Sequence, residues 1–357
     1  MSGLDDVIAA ETSLSEVDGA RGRLVIRGHT LDDLAGRTSF EALMSLLLAD
    51  LAPLPAGELK SRLGLARSRA FAEIAHLDPD LLRLSITEAL RALMARLPDG
   101  EEVDIAILLA AAPAVFVPAI IRRQAGREAI APDPAKGHAE DMLFMLSGET
   151  PSPAQIAALD TYLVTVSDHG LNASTFAARV VASTRAGYTS AVLAALGALK
   201  GPLHGGAPGP VLDMLDAIGS PDHAEAWLSA ALARGERLMG FGHRIYRVRD
   251  PRADALKSAL ARLGAAGGMN AARLALAETV ERDALALLRL AKPDRPLETN
   301  VEFFTALLLE ALGFPRDAFT GVFATGRVAG WLAHSHEQIT NGRLIRPQSL
   351  YVGPKAA

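Results

Sequence analysis

The amino-acid sequence predicts an all-α fold with one small β-hairpin near the N-terminus. Aromatic residues make up only 5% of the chain, while Ala and Leu dominate, and this composition favours helix over strand. Apolar residues at 274, 277, 280, 284, 287 and 288 recur at helical spacing, with charged residues between them. The main exception is the stretch 13–26, where short alternating runs flank Asp18-Gly19, a common two-residue hairpin signal.

The segments after the hairpin are predicted to be helices. Residues 105–121 form an uncharged run that contains Pro113 and Pro118. This run is marginal for a membrane span of about 20 residues, so we interpret it as a helix buried in a protein core. Residues 176–199 are Ala-rich and nearly uncharged, which predicts one long central helix with closely packed neighbours. The last acidic motif is expected to open a helix that is capped by Asn300 and runs to about residue 312.

Length, charge and cysteine content limit the classes of function. With 357 residues, of which 50% are hydrophobic, the chain is long enough for two domains, one large and one small. The net charge of −5 argues against a nucleic-acid partner and against an anionic membrane surface. The chain has no cysteine, which excludes disulfides and thiolate nucleophiles. Together with an N-terminus that shows no signal-peptide pattern, this favours the reducing cytoplasm.

Three short motifs carry the strongest signal for chemistry. His204 lies in Gly201-Pro-Leu-His-Gly-Gly206, and His243 lies in Gly240-Phe-Gly-His-Arg-Ile-Tyr246. A carboxylate, Glu302, follows in Asn-Val-Glu-Phe-Phe. Because glycine lacks a Cβ, it lets backbone and ligand approach a neighbouring side chain closely, and a core histidine needs no such clearance. We therefore predict that these three side chains form one acid–base constellation.

Each motif also has a purely structural interpretation, which the sequence leaves open. His204 could cap the end of a helix, and Glu302 could complement the dipole of a first helical turn. The arginines at 244, 247, 249 and 252 indicate either a site for an anionic substrate or a solvated basic face. His334 and His336 are two residues apart and point to different faces of a helix, so no metal site is expected there.

Taken together, these segments resemble the citrate synthase family. The matching motifs occur in the same order over most of the chain, and residues 165–350 are the firmest part of the resemblance. The matching segments are Ala9-Ala-Glu-Thr12, Gly22 to Gly28, Leu171 to Phe176, Leu199 to Gly206, Met239 to Tyr246, Asp250 to Ala253, Asn300 to Phe303 and Leu344 to Pro347.

The resemblance implies a two-domain, all-α homodimer and a condensation reaction. The expected large domain comprises residues 1–205 and 314–357, and the expected small domain, which closes on it, comprises residues 206–313. The implied reaction joins acetyl-CoA to oxaloacetate to give citrate and CoA. It needs neither a metal nor a redox cofactor, since CoA is a co-substrate. Two alternatives stay open: a 2-methylcitrate synthase that uses propionyl-CoA, and a low-activity paralogue that binds CoA or dicarboxylates.

The resemblance also implies a role for each residue that matches the family's motifs. His204 matches the histidine that hydrogen-bonds the thioester oxygen, and His243 matches the one that polarises the ketone. Glu302 stands where the family usually has the aspartate that removes the methyl proton. The remaining expected contacts are to oxaloacetate, by His169, Arg252, Arg327 and, from across the dimer, Arg346, and to CoA, by Arg247 and Arg295.

Overall fold

The computed structural model describes residues 7–202, 204, 208–243, 245–246, 248–293 and 297–354. The strands within this part of the chain are β1 (Ser15–Asp18), β2 (Arg23–Ile26) and β3 (His29–Thr30). Its α-helices are α1 (Leu31–Leu34), α2 (Phe40–Leu47), α3 (Ala56–Phe71), α4 (Ile86–Met94), α5 (Val103–Gln124), α6 (His138–Ser147), α7 (Pro153–Val166), α8 (Ala173–Ala182), α9 (Tyr188–Leu199), α10 (Pro208–Ile218), α11 (Ala224–Ala233), α12 (Pro251–Ala265), α13 (Ala271–Ala291), α14 (Val301–Ala311) and α15 (Phe319–Asn341). Short 3-10 turns lie at Ala72–His76, Leu81–Arg83, Pro221–His223 and Arg316–Ala318. The predicted all-α fold class is confirmed.

The predicted hairpin is present, with a longer turn and one further strand. β1 and β2 pair antiparallel, and β3 adds to the other edge of β2. The turn spans residues 19–22 rather than two residues, and Gly22 takes the positive φ of 61°. A Cβ on Gly19 would lie 2.3 Å from the carbonyl oxygen of Ile245. The hairpin turn is therefore packed directly against the loop that carries the second glycine-rich histidine motif.

Helix α5 is the centre of the core. Helices α3, α4, α6 and α15 pack around it, and residues 106–121 are all buried. Both prolines lie inside this helix, as predicted from the uncharged run. α5 is the one described helix long and apolar enough to span a membrane by length and composition, and its burial identifies it as a core helix in this structure.

The predicted long helix over 176–199 is wrong, because the chain breaks into α8 and α9. Arg185 and Gly187 both adopt positive φ angles, of 63° and 99°. The carboxylate of Asp99 accepts hydrogen bonds from the backbone N–H groups of Thr189 (2.9 Å) and Ser190 (3.1 Å) and so caps the start of α9. A Cβ at position 187 would collide with this carboxylate. A residue distant in sequence therefore sets the break, and the two helices fold against each other.

Two glycines bring α15 against the end of α7. A Cβ on Gly326 would lie 2.6 Å from the side chain of Val166, and one on Gly330 would lie 2.3 Å from the carbonyl oxygen of Ser167. The backbones approach this closely because neither position carries a side chain. This contact places the middle of α15 beside the residues that follow α7. Helix α12 packs against both α7 and α14, which closes the other side of the same region.

Candidate active site

Six of the predicted site residues lie together, five of them near the ends of helices and one in the middle of a helix. His169 follows α7 and His204 follows α9, while His243 precedes α12. The others are Arg252 in the first turn of α12, Glu302 in the first turn of α14 and Arg327 in the middle of α15. The charges of the two arginines and the rings of the other two histidines all act on the pKa of His169, and both arginines act on the pKa of Glu302. The six side chains therefore belong to one electrostatic cluster.

His204 is held by the start of α8. Its Nε2 accepts a hydrogen bond from the backbone N–H of Ser174 (3.3 Å) and lies 2.8 Å from the hydroxyl of the same residue. Trp331 Nε1 donates to that hydroxyl (3.1 Å), which fixes it from α15. Burial and the nearby Arg327 lower the pKa of His204 to about 4. The ring is therefore neutral at pH 7, and because Nε2 accepts, its proton is on Nδ1.

His243 has the opposite tautomer. Its Nδ1 accepts from the backbone N–H groups of Ile245 (3.0 Å) and Tyr246 (3.1 Å). Burial and the charge of Arg252 lower its pKa to about 4, so the ring is neutral with its proton on Nε2. Nε2 lies 3.0 Å from Nη2 of Arg252. Two N–H donors therefore face each other, and a ligand oxygen that accepts from both would relieve the contact.

Asp250 organises this side of the cluster. Its carboxylate accepts two hydrogen bonds from the guanidinium of Arg252, at 3.0 and 2.9 Å, and one from the backbone N–H of Val301 at 3.2 Å. It is also the N-cap of α12. Asn300 caps α14 as predicted, since its side chain accepts from the N–H of Glu302 at 3.0 Å, and its amide donates to the carbonyl of Gly242 at 2.8 Å. One carboxylate and one amide therefore join the two loops that carry His243 and Glu302.

The carboxyl of Glu302 has a raised pKa and no ion-pair partner among the described residues. Among the described residues no side chain donates a hydrogen bond to its carboxylate, and it forms no ion pair with them. Burial raises the pKa of this carboxyl to about 7, with Arg252 opposing the rise and Asp250 adding to it. A carboxylate with a pKa near the working pH takes up and releases a proton readily, which is what general base catalysis requires.

Arg327 is a buried cation that forms no ion pair with a carboxylate among the described residues, although the charges of Asp168 and Glu302 act on it from further away. Only 1% of the residue is exposed. Its Nε donates to the carbonyl of Val166 at 2.5 Å, and its guanidinium lies 4.9 Å from the ring centre of Phe323. Burial lowers its pKa to about 10, which still leaves it charged. Since a buried, unpaired charge is costly, this arrangement favours an anionic ligand that supplies the missing partner.

The other predicted site residues are Arg346, Arg247 and Arg295. Arg346 is exposed in the extended segment after α15, and no described contact joins it to the cluster within the chain. Arg247 and Arg295 lie outside the described residues. In the part of the chain that the structure describes, no group of three or more His, Asp or Glu side chains is arranged to hold a metal ion.

Sequence reasoning assigned no role to three side chains at the site. The hydroxyl of Tyr246 lies 3.0 Å from Nε2 of His169. Asp250 joins the two loops described above. Tyr162 on α7 has a buried hydroxyl without a hydrogen-bond partner among the described residues, and its pKa responds to Glu302 and Arg327. The position of Tyr246 within the glycine-rich histidine motif was the available signal, whereas nothing local distinguishes Tyr162.

A cavity of about 560 Å³ opens beside His243. Its walls combine apolar side chains from α11, α13 and the loop before α12 with three charged groups. The lining residues are Leu232, Glu236, Arg237, Leu238, Phe241, Gly242, His243, Leu288, Lys292 and Leu297. Two basic side chains at an otherwise mixed pocket suit a large ligand that carries phosphate groups.

Comparisons with known proteins agree on one family. The family model described as citrate synthase, C-terminal domain, matches residues 3–348. A putative citrate synthase 2 of Mycobacterium tuberculosis is 39% identical, over 99% of this chain and 92% of the relative. A 2-methylcitrate synthase of the same organism is 35% identical, over 98% and 90%. Citrate synthase of Thermoplasma acidophilum, solved with carboxymethyl coenzyme A and oxaloacetate, superimposes with a TM-score of 0.87 at 28% identity, covering 99% of this chain and 96% of that one.

Proposed function

The chain belongs to the citrate synthase family, a family of condensing transferases, and on that premise we propose that it joins acetyl-CoA to oxaloacetate to give citrate and CoA. The single observation that carries the proposal is the cluster itself. Three neutral imidazoles and a carboxyl of raised pKa lie around two buried arginines, one of which forms no ion pair with a carboxylate among the described residues. This combination provides acid–base groups and a dianion site in the same place.

Oxaloacetate would bind through its two carboxylates. Arg327 supplies a buried guanidinium with free donors, and His169 lies on the adjacent turn. Arg252 is held by Asp250 through two of its nitrogens, so it presents the rest of its fork in a fixed direction. The ketone oxygen would then occupy the place where His243 Nε2–H and the Arg252 N–H face each other. Both donors would polarise the carbonyl and stabilise the alkoxide that forms there.

Proton removal from acetyl-CoA would use the other half of the cluster. The Glu302 carboxylate takes a proton from the thioester methyl group, and the Nδ1–H of His204 donates to the thioester oxygen as negative charge develops on it. The enolate carbon attacks the ketone carbon, and the new alkoxide takes the proton from Nε2 of His243. Water then adds to the thioester carbonyl and the carbon–sulfur bond breaks. One proton of the water goes to the CoA sulfur and the other to solvent, so citrate and CoA thiol leave. The proton held by Glu302 returns to Nε2 of His243, which restores both groups.

No further cofactor is needed in this scheme, because the CoA thioester is itself a substrate. We assign the CoA moiety to the cavity beside His243, where Arg237 and Lys292 offer positive charge to its phosphates. Arg247 and Arg295 remain proposed CoA contacts. The thioester must reach His204 from this side, and closure of residues 206–313 over residues 1–205 and 314–357 would exclude water until the carbon–carbon bond has formed.

We also propose that the active form is a homodimer. Arg346 lies outside the cluster within one chain, so a second copy would supply it. The outer face of α9 carries half-buried small or apolar residues, among them Leu193, Ala194 and Ala198. Gly197 lies on this face, and a Cβ there would meet no atom within 4 Å. A glycine costs about 1 kcal/mol relative to alanine inside a helix, and close approach of a partner helix accounts for it. The chain contains no cysteine, and we assign the dimer to the cytoplasm on that ground.

The test is release of CoA thiol from acetyl-CoA and from propionyl-CoA, each with oxaloacetate and each without it. We expect release that depends on oxaloacetate and a higher kcat/KM for acetyl-CoA. A preference for propionyl-CoA would replace the proposal by 2-methylcitrate synthesis, the activity named for one of the relatives. Calorimetric binding of both ligands without turnover would instead identify a binding paralogue in which Glu302 fails to replace aspartate.

A further inference from the structure

Tyr246 lies between three of the residues to which the proposed function gives roles. Its ring centre is 4.9 Å from that of His243 and 5.6 Å from that of His169, and the guanidinium carbon of Arg252 lies 5.4 Å from the same ring. Its hydroxyl lies 3.0 Å from Nε2 of His169. The side chain is buried, with 4% of its surface exposed. Each contact is therefore fixed by packing.

The direction of the Tyr246–His169 hydrogen bond follows from counting donors. Burial raises the pKa of the Tyr246 phenol, so it keeps its proton. Burial and the charges of Arg252 and Arg327 hold the pKa of His169 well below its ordinary value, so the ring is neutral with one donor and one acceptor. Among the described residues, Nε2 of His169 is the only acceptor within reach of the hydroxyl. A buried hydroxyl proton needs an acceptor, so the phenol donates and Nε2 accepts.

We propose that Tyr246 is a positioning residue that fixes His169 as the Nδ1–H tautomer, and thereby makes it a donor to oxaloacetate. Nδ1 of His169 has no partner among the described residues, so its N–H is available to a substrate oxygen. The identity of that oxygen rests on the proposed function, while the tautomer does not.

The same residue sets the tautomer of His243 by another route. The backbone N–H of Tyr246 donates to Nδ1 of His243, which leaves the proton of that ring on Nε2. Two imidazoles, one bonded to the hydroxyl of Tyr246 and the other to its backbone N–H and that of Ile245, are thus turned into donors. An anionic substrate with a ketone offers only acceptors, so both tautomers match it. The hairpin turn at Gly19 packs against the carbonyl of Ile245, on this same loop.

Tyr246→Phe separates the two effects, because it removes the hydroxyl and keeps the ring and the backbone N–H. Without the phenol donor, His169 is free to carry its proton on Nε2 and to present a lone pair to the substrate. We expect the KM for oxaloacetate to rise about tenfold, the size of one lost hydrogen bond to a charged group, with kcat changed by less than twofold. Tyr188→Phe is the matched control, since its hydroxyl lies 2.9 Å from Nδ1 of His336 in a second Tyr–His pair that has no role in the proposed chemistry.

The tautomer is read directly from ¹⁵N–¹H correlation spectra of the nine histidines, with His169 assigned by loss of its signals in His169→Gln. We expect a protonated Nδ1 in the parent and a gain of the Nε2–H form in Tyr246→Phe. A parent spectrum with the proton on Nε2 would overturn the inference, and that measurement requires no variant to fold except the one used for assignment. If the parent is active, an unchanged KM for oxaloacetate in Tyr246→Phe would also overturn the inference. If the parent shows the Nδ1–H form and no turnover of oxaloacetate, the proposed function fails and the tautomer assignment stands.

Discussion

The two halves of the cluster are built in different ways. His169, His204 and Arg327 depend on packing between long helices, in which Gly326 and Gly330 allow α15 to lie against the end of α7. We call these three residues the helix-built half. His243, Arg252 and Glu302 depend on side chains that cap and cross-link loops, chiefly Asp250 and Asn300. We call these the loop-built half.

The two halves also differ in how the charge of their arginine is compensated. In the loop-built half, Arg252 donates two hydrogen bonds to the carboxylate of Asp250, so its charge is neutralised before any ligand arrives. In the helix-built half, the described contacts of the buried Arg327 guanidinium are with a backbone carbonyl and an aromatic ring, and it forms no ion pair with a described carboxylate. The pairing of Arg252 fixes the direction of its guanidinium, whereas the charge of Arg327 is left to pair with an anionic ligand. We therefore expect binding energy to come mainly from the helix-built half and proton chemistry mainly from the loop-built half.

The largest expected effect separates proton chemistry from binding. Glu302→Ala should lower kcat for condensation by about 10³-fold, the usual size of a lost general base, while oxaloacetate binding measured by calorimetry stays within twofold of the parent. Glu310→Ala is the control, since this carboxylate lies in the same helix and pairs with Arg273 away from the cluster. Turnover by Glu302→Ala at the rate of the parent would remove Glu302 from the mechanism and end the division between the halves.

The second prediction concerns the two arginines. Arg252→Met leaves Asp250 buried without its cation, which should lower the free energy of unfolding by about 3–5 kcal/mol. Arg327→Met removes an unpaired buried charge, so the free energy of unfolding should stay the same or rise, while affinity for oxaloacetate falls by at least about 100-fold. Urea denaturation of the ligand-free variants and calorimetry with oxaloacetate make the comparison. Equal destabilisation by both substitutions would contradict the difference in charge between the halves.

How far the sequence could predict this site depends on whether the determinants are local. The cap at Asn300 is a short-range pattern, and the structure has it as predicted. The break before α9 depends on Asp99, which lies about ninety residues earlier, so helical composition alone predicted an unbroken helix. The roles of Tyr246 and Asp250 likewise arise from contacts with His169 and Val301, which only the tertiary fold brings near.

The third prediction uses pH to isolate the loop-built half. The pKa of Glu302 is raised to about 7, whereas those of His204 and His243 are lowered to about 4, so of these three groups only the carboxyl of Glu302 titrates above pH 5. A base must be ionised to act, so kcat should fall about tenfold per pH unit below pH 7 and level off above it.

Stability should change with pH in the opposite sense to activity. Because the carboxyl binds its proton more tightly when folded, its contribution to stability is complete below its ordinary pKa of 4.5 and is lost as the pH rises through about 7. Glu302→Gln should remove the dependence of kcat and the part of the stability dependence that comes from Glu302, while Asp160, whose pKa burial also raises to about 7, keeps its own part. A kcat of the parent that does not change between pH 5 and 8 would contradict the raised pKa of Glu302.

The smallest expected effect tests the outer face of α9, the helix that ends just before His204. Gly197→Ala adds a methyl group where no atom lies within 4 Å, so the single chain gains helix propensity of up to about 1 kcal/mol. If α9 packs closely on a second copy, the same methyl group should weaken the dimer and shift sedimentation velocity profiles toward monomer at low protein concentration. Gly57→Ala in α3, which also has no atom within 4 Å, is the matched control and should leave the oligomeric state unchanged. An unchanged dimer with a raised unfolding midpoint would place the interface elsewhere, and Arg346 would then need another route to the cluster.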